Sequence, residues 1–113
     1  MKQIIKTITP EEAKELIENR KGNEDFVLLD IRTEPEINQE RINGCERLDF
    51  YIPDFKEKLD ELDKNKAYLI YCRTASRTKA AMRMMQELGF KEVYELDGGI
   101  MLWKMSGFAI VSG

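Results

Sequence analysis

The chain has 113 residues, of which 42% are hydrophobic, with a formal net charge of −3, two cysteines and no histidine. That composition is typical of one globular domain, and the length allows a core to form without disulfides or metals. The lack of histidine and of a cysteine pair at short spacing excludes zinc fingers. The lack of histidine also excludes a Ser-His-Asp triad and any histidine base. The apolar runs are far shorter than the ~20 residues that a membrane span needs.

These properties predict a single domain over residues 1–113 in the reducing cytoplasm. The apolar part of the N-terminal segment is too short for a signal peptide. A mildly negative net charge gives no general attraction for nucleic acid. We therefore expect no nucleic-acid partner, no membrane partner, no metal and no other cofactor.

The first third of the chain predicts a strand, a helix and a second strand. Isoleucines within residues 4–8 indicate a short strand, and Thr9 followed three residues later by Glu12 is typical of a helix start. Gly22 is suited to end that helix. The continuous apolar run over residues 26–31 predicts a strand buried on both faces of a sheet.

The middle of the chain is less regular. Thr33 marks the start of a short helix by the same signals as before. Residues 41–49 predict a loop with a short strand near its end, and residues 53–62 predict a helix with one apolar side.

The last third repeats the alternation of strand and helix. Residues 67–72 predict a buried strand, 77–88 a helix that ends before Gly89, 93–96 a further strand, and 100–105 a last short helix. This order predicts an α/β domain with a central, mostly parallel sheet of about five strands covered on both faces. Ligands of such sheets bind beyond the carboxyl ends of the strands, where Asp30 and Cys72 lie.

Cys72 ends a predicted strand and is followed by a short polar loop and then a helix. The backbone N–H groups of such a loop, the positive end of the helix and the two arginines Arg73 and Arg77 would each stabilise a thiolate. Residues 71–83 carry four basic side chains and no acidic one. The alternative is that Cys72 is an inert, small buried hydrophobe. That alternative does not account for the polar loop residues Arg73, Thr74 and Ser76.

Five segments of the chain resemble those of single-domain rhodanese-like proteins, in that family's order and at about its spacings. The loop resembles the family's C-R-x-G-x-R active-site loop. The matching segments are residues 9–12 (TPEE), 28–33 (LLDIRT), 41–45 (RINGC), 72–77 (CRTASR) and 96–100 (LDGGI) with Trp103.

The resemblance implies a three-layer α/β/α fold and a sulfurtransferase activity. Cys72 would take a sulfane sulfur from thiosulfate or a persulfide donor, form a persulfide, and pass the sulfur to a nucleophile such as cyanide or a protein thiol. The backbone N–H groups of Arg73, Thr74, Ala75, Ser76 and Arg77 would cradle the persulfide, and the two arginines would hold the anionic donor. An ionised thiol needs no general base, which agrees with the absence of histidine.

Two other functions stay open at this point. One is a rhodanese-like binding or redox-sensing module without catalysis. The other is a phosphatase or arsenate reductase on the same fold, but those enzymes use a longer Cys-x5-Arg loop that usually follows a histidine. This chain has Cys-x4-Arg after Tyr71, which favours sulfur transfer.

Several positions depart from the family pattern or allow two interpretations. Ala75 stands where the family often has glycine, which costs on the order of 1 kcal/mol if that residue needs a positive φ. Ser76 either donates a hydrogen bond to a bound anion or caps the helix.

Three further residues have a supporting role or allow two interpretations. Asp30 either orders the active loop or caps a local turn, and Arg32 is expected to form a structural ion pair. Cys45 is expected to be a small packed residue; the sharper hypothesis is that it forms a disulfide with an oxidised or persulfidated Cys72.

Overall fold

Five strands form one sheet in which every strand pair is parallel. A computed structural model describes residues 2–113, and Met1, the first residue of the predicted domain, lies outside them. The spatial order of the strands is β1-β5-β4-β2-β3. Their bounds are β1 Ile4–Ile8, β2 Phe26–Asp30, β3 Glu46–Arg47, β4 Ala67–Tyr71 and β5 Glu92–Leu96.

Helices follow the strands in strict alternation, as the sequence predicts. They are α1 Pro10–Asn19, α2 Glu34–Gln39, α3 Phe55–Asp60, α4 Ser76–Glu87 and α5 Gly99–Met105. The predicted start of α1 is confirmed, because the Thr9 hydroxyl accepts a hydrogen bond from the Glu12 N–H at 3.1 Å while the Glu12 carboxylate accepts from the Thr9 N–H at 2.9 Å. Helix α3 is shorter than predicted at both ends, since its flanks form turns.

The central strand β4 is buried along its whole length and separates two hydrophobic clusters. Its side chains Tyr68, Ile70 and the following Cys72 face α3 and α4, whereas Leu69 and Tyr71 face α1 and α5. The expected three-layer α/β/α architecture is therefore confirmed. This alternation places Cys72 on the side of the sheet that α3 and α4 cover.

The first turn of α5 is bonded to the end of β4. The N–H of Ile100 donates to the Cys72 carbonyl at 2.9 Å, and the N–H of Met101 donates to the Arg73 carbonyl at 3.1 Å. Gly99 has a φ of +61°, and a Cβ at that position would overlap the Cys72 and Arg73 carbonyls. This close approach requires glycine, and it holds the chain where it leaves β4.

We expect Gly99→Ala to lower the free energy of unfolding by about 2–4 kcal/mol, because it adds both left-handed strain and a backbone overlap. Gly107→Ala is the matched control. Gly107 has a φ of +82° and open space around a would-be Cβ, so its cost is about 1–2 kcal/mol from strain alone. Urea unfolding of both variants checks this, and equal losses would show that the overlap with the Cys72 loop is unimportant.

Candidate active site

Cys72 lies directly after β4, and residues 73–75 lead from it to the first residue of α4. Its side chain is fully buried, in contact with the cluster that α3 and α4 cover. Arg73, Thr74 and Ser76 are exposed at the rim of this loop. A ligand that approaches the sulfur from solvent therefore meets these three residues first.

Ala75 adopts the left-handed conformation that the family's glycine suggested. Its φ is 79° and its ψ is 4°, and it is the N-cap residue of α4. It is the one residue other than glycine with a positive φ among residues 2–113. Because Ala75 occupies the N-cap, the alternative that Ser76 caps the helix is wrong; Ser76 is the first helical residue.

The backbone N–H groups of the loop are free to bind an anion. None of those from residue 73 to residue 77 has a hydrogen-bond acceptor among residues 2–113. Unpaired N–H groups at the start of a helix, together with the helix dipole, favour a negative charge at this point. The loop therefore offers a set of donors beside a sulfur atom that can become negative.

Arg77 is paired with a carboxylate from another helix. Its guanidinium donates to both oxygens of Glu36 on α2, at 2.9 and 3.0 Å. The Tyr51 ring covers it, with 5.5 Å between the ring centroid and Cζ. The hydrogen bonds from Arg77 hold the pKa of Glu36 at about 2, well below its ordinary value. Glu36 thus anchors the loop's second arginine, whereas no salt bridge is recorded for Arg73 among residues 2–113.

Asp30 and Arg32 form the expected ion pair, on the opposite face of the sheet from Cys72. The shortest bond joins Arg32 Nη2 to Asp30 Oδ2 at 2.7 Å, and both side chains are buried. Asp30 also accepts the Arg32 N–H at 2.9 Å, so it caps the local turn. Burial, with the nearby Asp30 charge, raises the pKa of Tyr71 far above its ordinary range. Asp30 makes its recorded hydrogen bonds to Arg32 and not to the loop amides.

Cys45 packs against the cluster that α1 and α5 cover, on the other face of the sheet from Cys72. Both thiols are free. Cys45 and Cys72 contact hydrophobic clusters on opposite faces of the sheet, an arrangement that disfavours the converging Cβ directions that a disulfide requires. The structure supports the partly buried packing role of Cys45, and the disulfide with an oxidised Cys72 stays a hypothesis.

Two residues near the sulfur, Thr78 and Glu95, belong to no motif that the sequence predicts. The Thr78 hydroxyl oxygen lies 3.9 Å from Cys72 Sγ and 2.7 Å from Oε2 of Glu95, and both residues are fully buried. Glu95 belongs to β5, which is paired with β4. The only signal in the sequence is an acidic residue within an otherwise buried strand. Among residues 2–113, no cluster of histidine, cysteine and acidic side chains is suited to a metal ion.

Comparison with known proteins identifies the family. The family model described as Rhodanese-like domain matches residues 9–106. The chain belongs to the rhodanese-like domain family. A sulfurtransferase of Allochromatium vinosum is 31% identical over 101 residues, which cover 89% of this chain and 92% of that protein. The thiosulfate sulfurtransferase GlpE of Coxiella burnetii is 33% identical over 101 residues, 89% of each chain.

The fold agrees with this assignment. A rhodanese-related protein of Thermoplasma volcanium superimposes with a TM-score of 0.81 at 23% identity, over 96% of this chain and 99% of that one. The names of the sequence relatives support a rhodanese-type transferase. Helices long and apolar enough to cross a membrane do not occur within residues 2–113.

We expect Ala75→Gly to leave the free energy of unfolding unchanged or to raise it by up to about 1 kcal/mol. The change relieves left-handed strain of about 1 kcal/mol and is partly offset by the greater freedom of the unfolded chain. The matched control is Ala80→Gly within α4, which costs about 1 kcal/mol in an ordinary helical conformation. Urea unfolding compares the two, and equal losses would contradict strain at Ala75.

Acid should remove the stability that the Glu36–Arg77 pair contributes. The pKa of Glu36 is about 2 in the folded chain against an ordinary 4.5, so as the pH falls the unfolded chain takes up the proton first. The contribution is therefore complete above the higher value and lost as the pH falls through the lower one. We expect Glu36→Gln to cost on the order of 1–3 kcal/mol at neutral pH and much less near the lower pKa.

Urea unfolding at several pH values measures this difference. Glu34→Gln is the control, because Glu34 forms an exposed ion pair with Arg47 at 3.3 Å. Exposed pairs contribute about 0–1 kcal/mol. A cost for Glu36→Gln that does not change with pH would contradict the ion-pair assignment.

Proposed function

We propose that this protein is a sulfurtransferase that moves a sulfane sulfur from thiosulfate or a persulfide donor to a thiophilic acceptor through a persulfide on Cys72. The observation that carries the proposal is the row of unpaired loop N–H groups beside Cys72 at the start of α4. The sulfurtransferase names of its relatives support it.

The chemistry needs a thiolate and a place for negative charge. The Cys72 thiolate attacks the outer sulfur of thiosulfate, the bond between the two thiosulfate sulfurs breaks, and its electron pair leaves with sulfite. Cys72 then carries a persulfide anion, which the loop N–H groups stabilise. An acceptor such as cyanide attacks the terminal sulfur, thiocyanate leaves, and the Cys72 thiolate is restored. No proton or electron is left over in either step.

The exposure and pairing of the loop residues indicate which of them binds the donor and which holds the loop in place. Arg73 is exposed and forms no ion pair with any of residues 2–113, so it is the cation available to the donor's sulfonate oxygens. Arg77 keeps its pair with Glu36 and acts mainly by holding the loop. Thr74, Ala75 and Ser76 supply N–H groups. The same features suit a small anionic donor and leave room at the rim for a protein thiol or persulfide as partner.

Intact-protein mass spectrometry after incubation with thiosulfate, and then with cyanide, tests the proposal. We expect the gain of one sulfur atom and its loss to cyanide. Cys72→Ser should gain none, whereas Cys45→Ser should behave like the wild type, because Cys45 lies on the other face of the sheet.

The failing outcomes are distinct. Sulfur uptake by Cys72→Ser, or its loss in Cys45→Ser, would contradict the assignment of Cys72. If neither thiosulfate nor glutathione persulfide loads the wild type, the sulfur-transfer proposal is wrong and the binding or redox-sensing module takes its place.

A further inference from the structure

The buried carboxylate of Glu95 is connected to the Cys72 sulfur through a single group, the Thr78 hydroxyl. Glu95 is fully buried. Alternation along β5 puts it on the same face as Val93, which belongs to the cluster that contains Cys72. Its Oε1 accepts hydrogen bonds from the Thr7 hydroxyl at 2.7 Å and from Lys79 Nζ at 2.8 Å. Its Oε2 contacts the Thr78 hydroxyl at 2.7 Å. Sulfur transfer as described above uses none of these groups except the Cys72 sulfur.

The donor count fixes the direction of the Thr78 hydroxyl. A hydroxyl carries one proton, and an ionised carboxylate can only accept. Two acceptors compete for that proton, the Glu95 carboxylate at 2.7 Å and the neutral Ala75 carbonyl at 3.1 Å. The bond to the charged group is shorter and stronger, so the proton points at Glu95.

The direction of the Thr78 hydroxyl affects the hydrogen bonding of the Cys72 sulfur. With its proton directed at Glu95, the Thr78 oxygen turns its lone pairs toward Sγ, 3.9 Å away. In this orientation it accepts a hydrogen bond from a thiol and offers none to a thiolate.

We propose that Glu95 is a positioning residue which, through Thr78, favours the thiol form of Cys72 and so opposes the stabilisation of the thiolate by the loop. The proposal rests on the proposed function only in taking Cys72 as the reacting sulfur. It opposes the loop: the N–H groups and the helix start favour the thiolate, whereas the Glu95–Thr78 bond favours the thiol.

The charged groups that face Cys72 come from two elements. Arg77 and Lys79 lie on α4, the helix that follows the Cys72 loop. Glu95 lies on β5, and Asp97 follows that strand at an exposed position. Both cations are paired, Arg77 with Glu36 and Lys79 with Glu95. Neither therefore acts as a full positive charge on the sulfur, so the loop N–H groups and the direction of the Thr78 hydroxyl set the balance between thiol and thiolate.

Replacing Glu95 by glutamine should reverse the Thr78 hydroxyl. The glutamine oxygen can still accept from Thr7 and Lys79, and its NH2 group then donates to the Thr78 oxygen. The Thr78 proton is released from the carboxylate, and a charged Cys72 thiolate then competes for it with the neutral Ala75 carbonyl. We expect Glu95→Gln to shift the midpoint of Cys72 ionisation about one pH unit lower, which is about tenfold more thiolate at neutral pH.

The measurement is the rate of alkylation by iodoacetamide against pH, followed by intact mass in a Cys45→Ser background, where Cys72 is the only thiol. Asp97→Asn is the matched control, since it removes a nearby carboxylate that does not contact Thr78, and its midpoint should move by less than about 0.3 unit. Thr78→Ser keeps the hydroxyl and should keep the wild-type midpoint.

The relay is tested by repeating Glu95→Gln in a Thr78→Val background. We expect the shift to fall to the size of the Asp97→Asn effect, because the hydroxyl that transmits it is gone. An equal shift with and without Thr78 would show that Glu95 acts as a charge alone and would overturn the proposal, as would a midpoint that stays or rises in Glu95→Gln. If Glu95→Gln does not fold, Glu95→Ala serves the same purpose, since it also frees the Thr78 proton.

No sulfur donor is present in this experiment, so its outcome is independent of sulfur transfer. A shifted midpoint in a protein that accepts no sulfur would refute the proposed function and leave the role of Glu95 intact. Sulfur uptake with an unshifted midpoint would do the reverse.

Discussion

The hydrogen bonds from the first turn of α5 to the carbonyls of Cys72 and Arg73 hold the loop on which the rest of the site depends. The last carbonyls of a buried parallel strand normally accept hydrogen bonds from a neighbouring strand. Here the chain turns after Tyr71, and N–H groups of α5 donate to the next carbonyls instead. Gly99 makes the approach close enough, because any side chain would overlap the two carbonyls. With its carbonyls bound on one side, the loop is free to direct its N–H groups to the other.

The electrostatics around the sulfur are nearly balanced. Arg77 is neutralised by Glu36 and Lys79 by Glu95, so each of these two cations of α4 has a carboxylate of its own. What remains to favour an anion is the set of loop N–H groups and the exposed Arg73. Fixed dipoles of this kind need no reorganisation when charge develops, unlike flexible charged side chains. In this arrangement the backbone N–H groups, more than the arginines, stabilise negative charge at the sulfur.

Local signals made most of the fold predictable. Buried strands, capping residues and glycine stops lie within a few residues of each other in the chain, so the alternation of β and α elements and the loop after Cys72 follow from the sequence. The left-handed backbone conformation of Ala75 was also predictable, because the family pattern has glycine at that position. The predicted limits of α3 were too wide, because its flanking turns carry the same apolar pattern as the helix.

The sequence by itself determined the elements, their parallel arrangement and the cysteine loop, because each depends on residue types close together in the chain. Only the tertiary structure decided which charges face the sulfur. Glu36 and Arg77 are 41 residues apart, and Glu95 reaches Cys72 through Thr78 only because β5 pairs with β4. The same packing put Cys45 and Asp30 on the opposite face from Cys72. Because successive side chains along a strand point to opposite faces, the register decides on which face each residue lies.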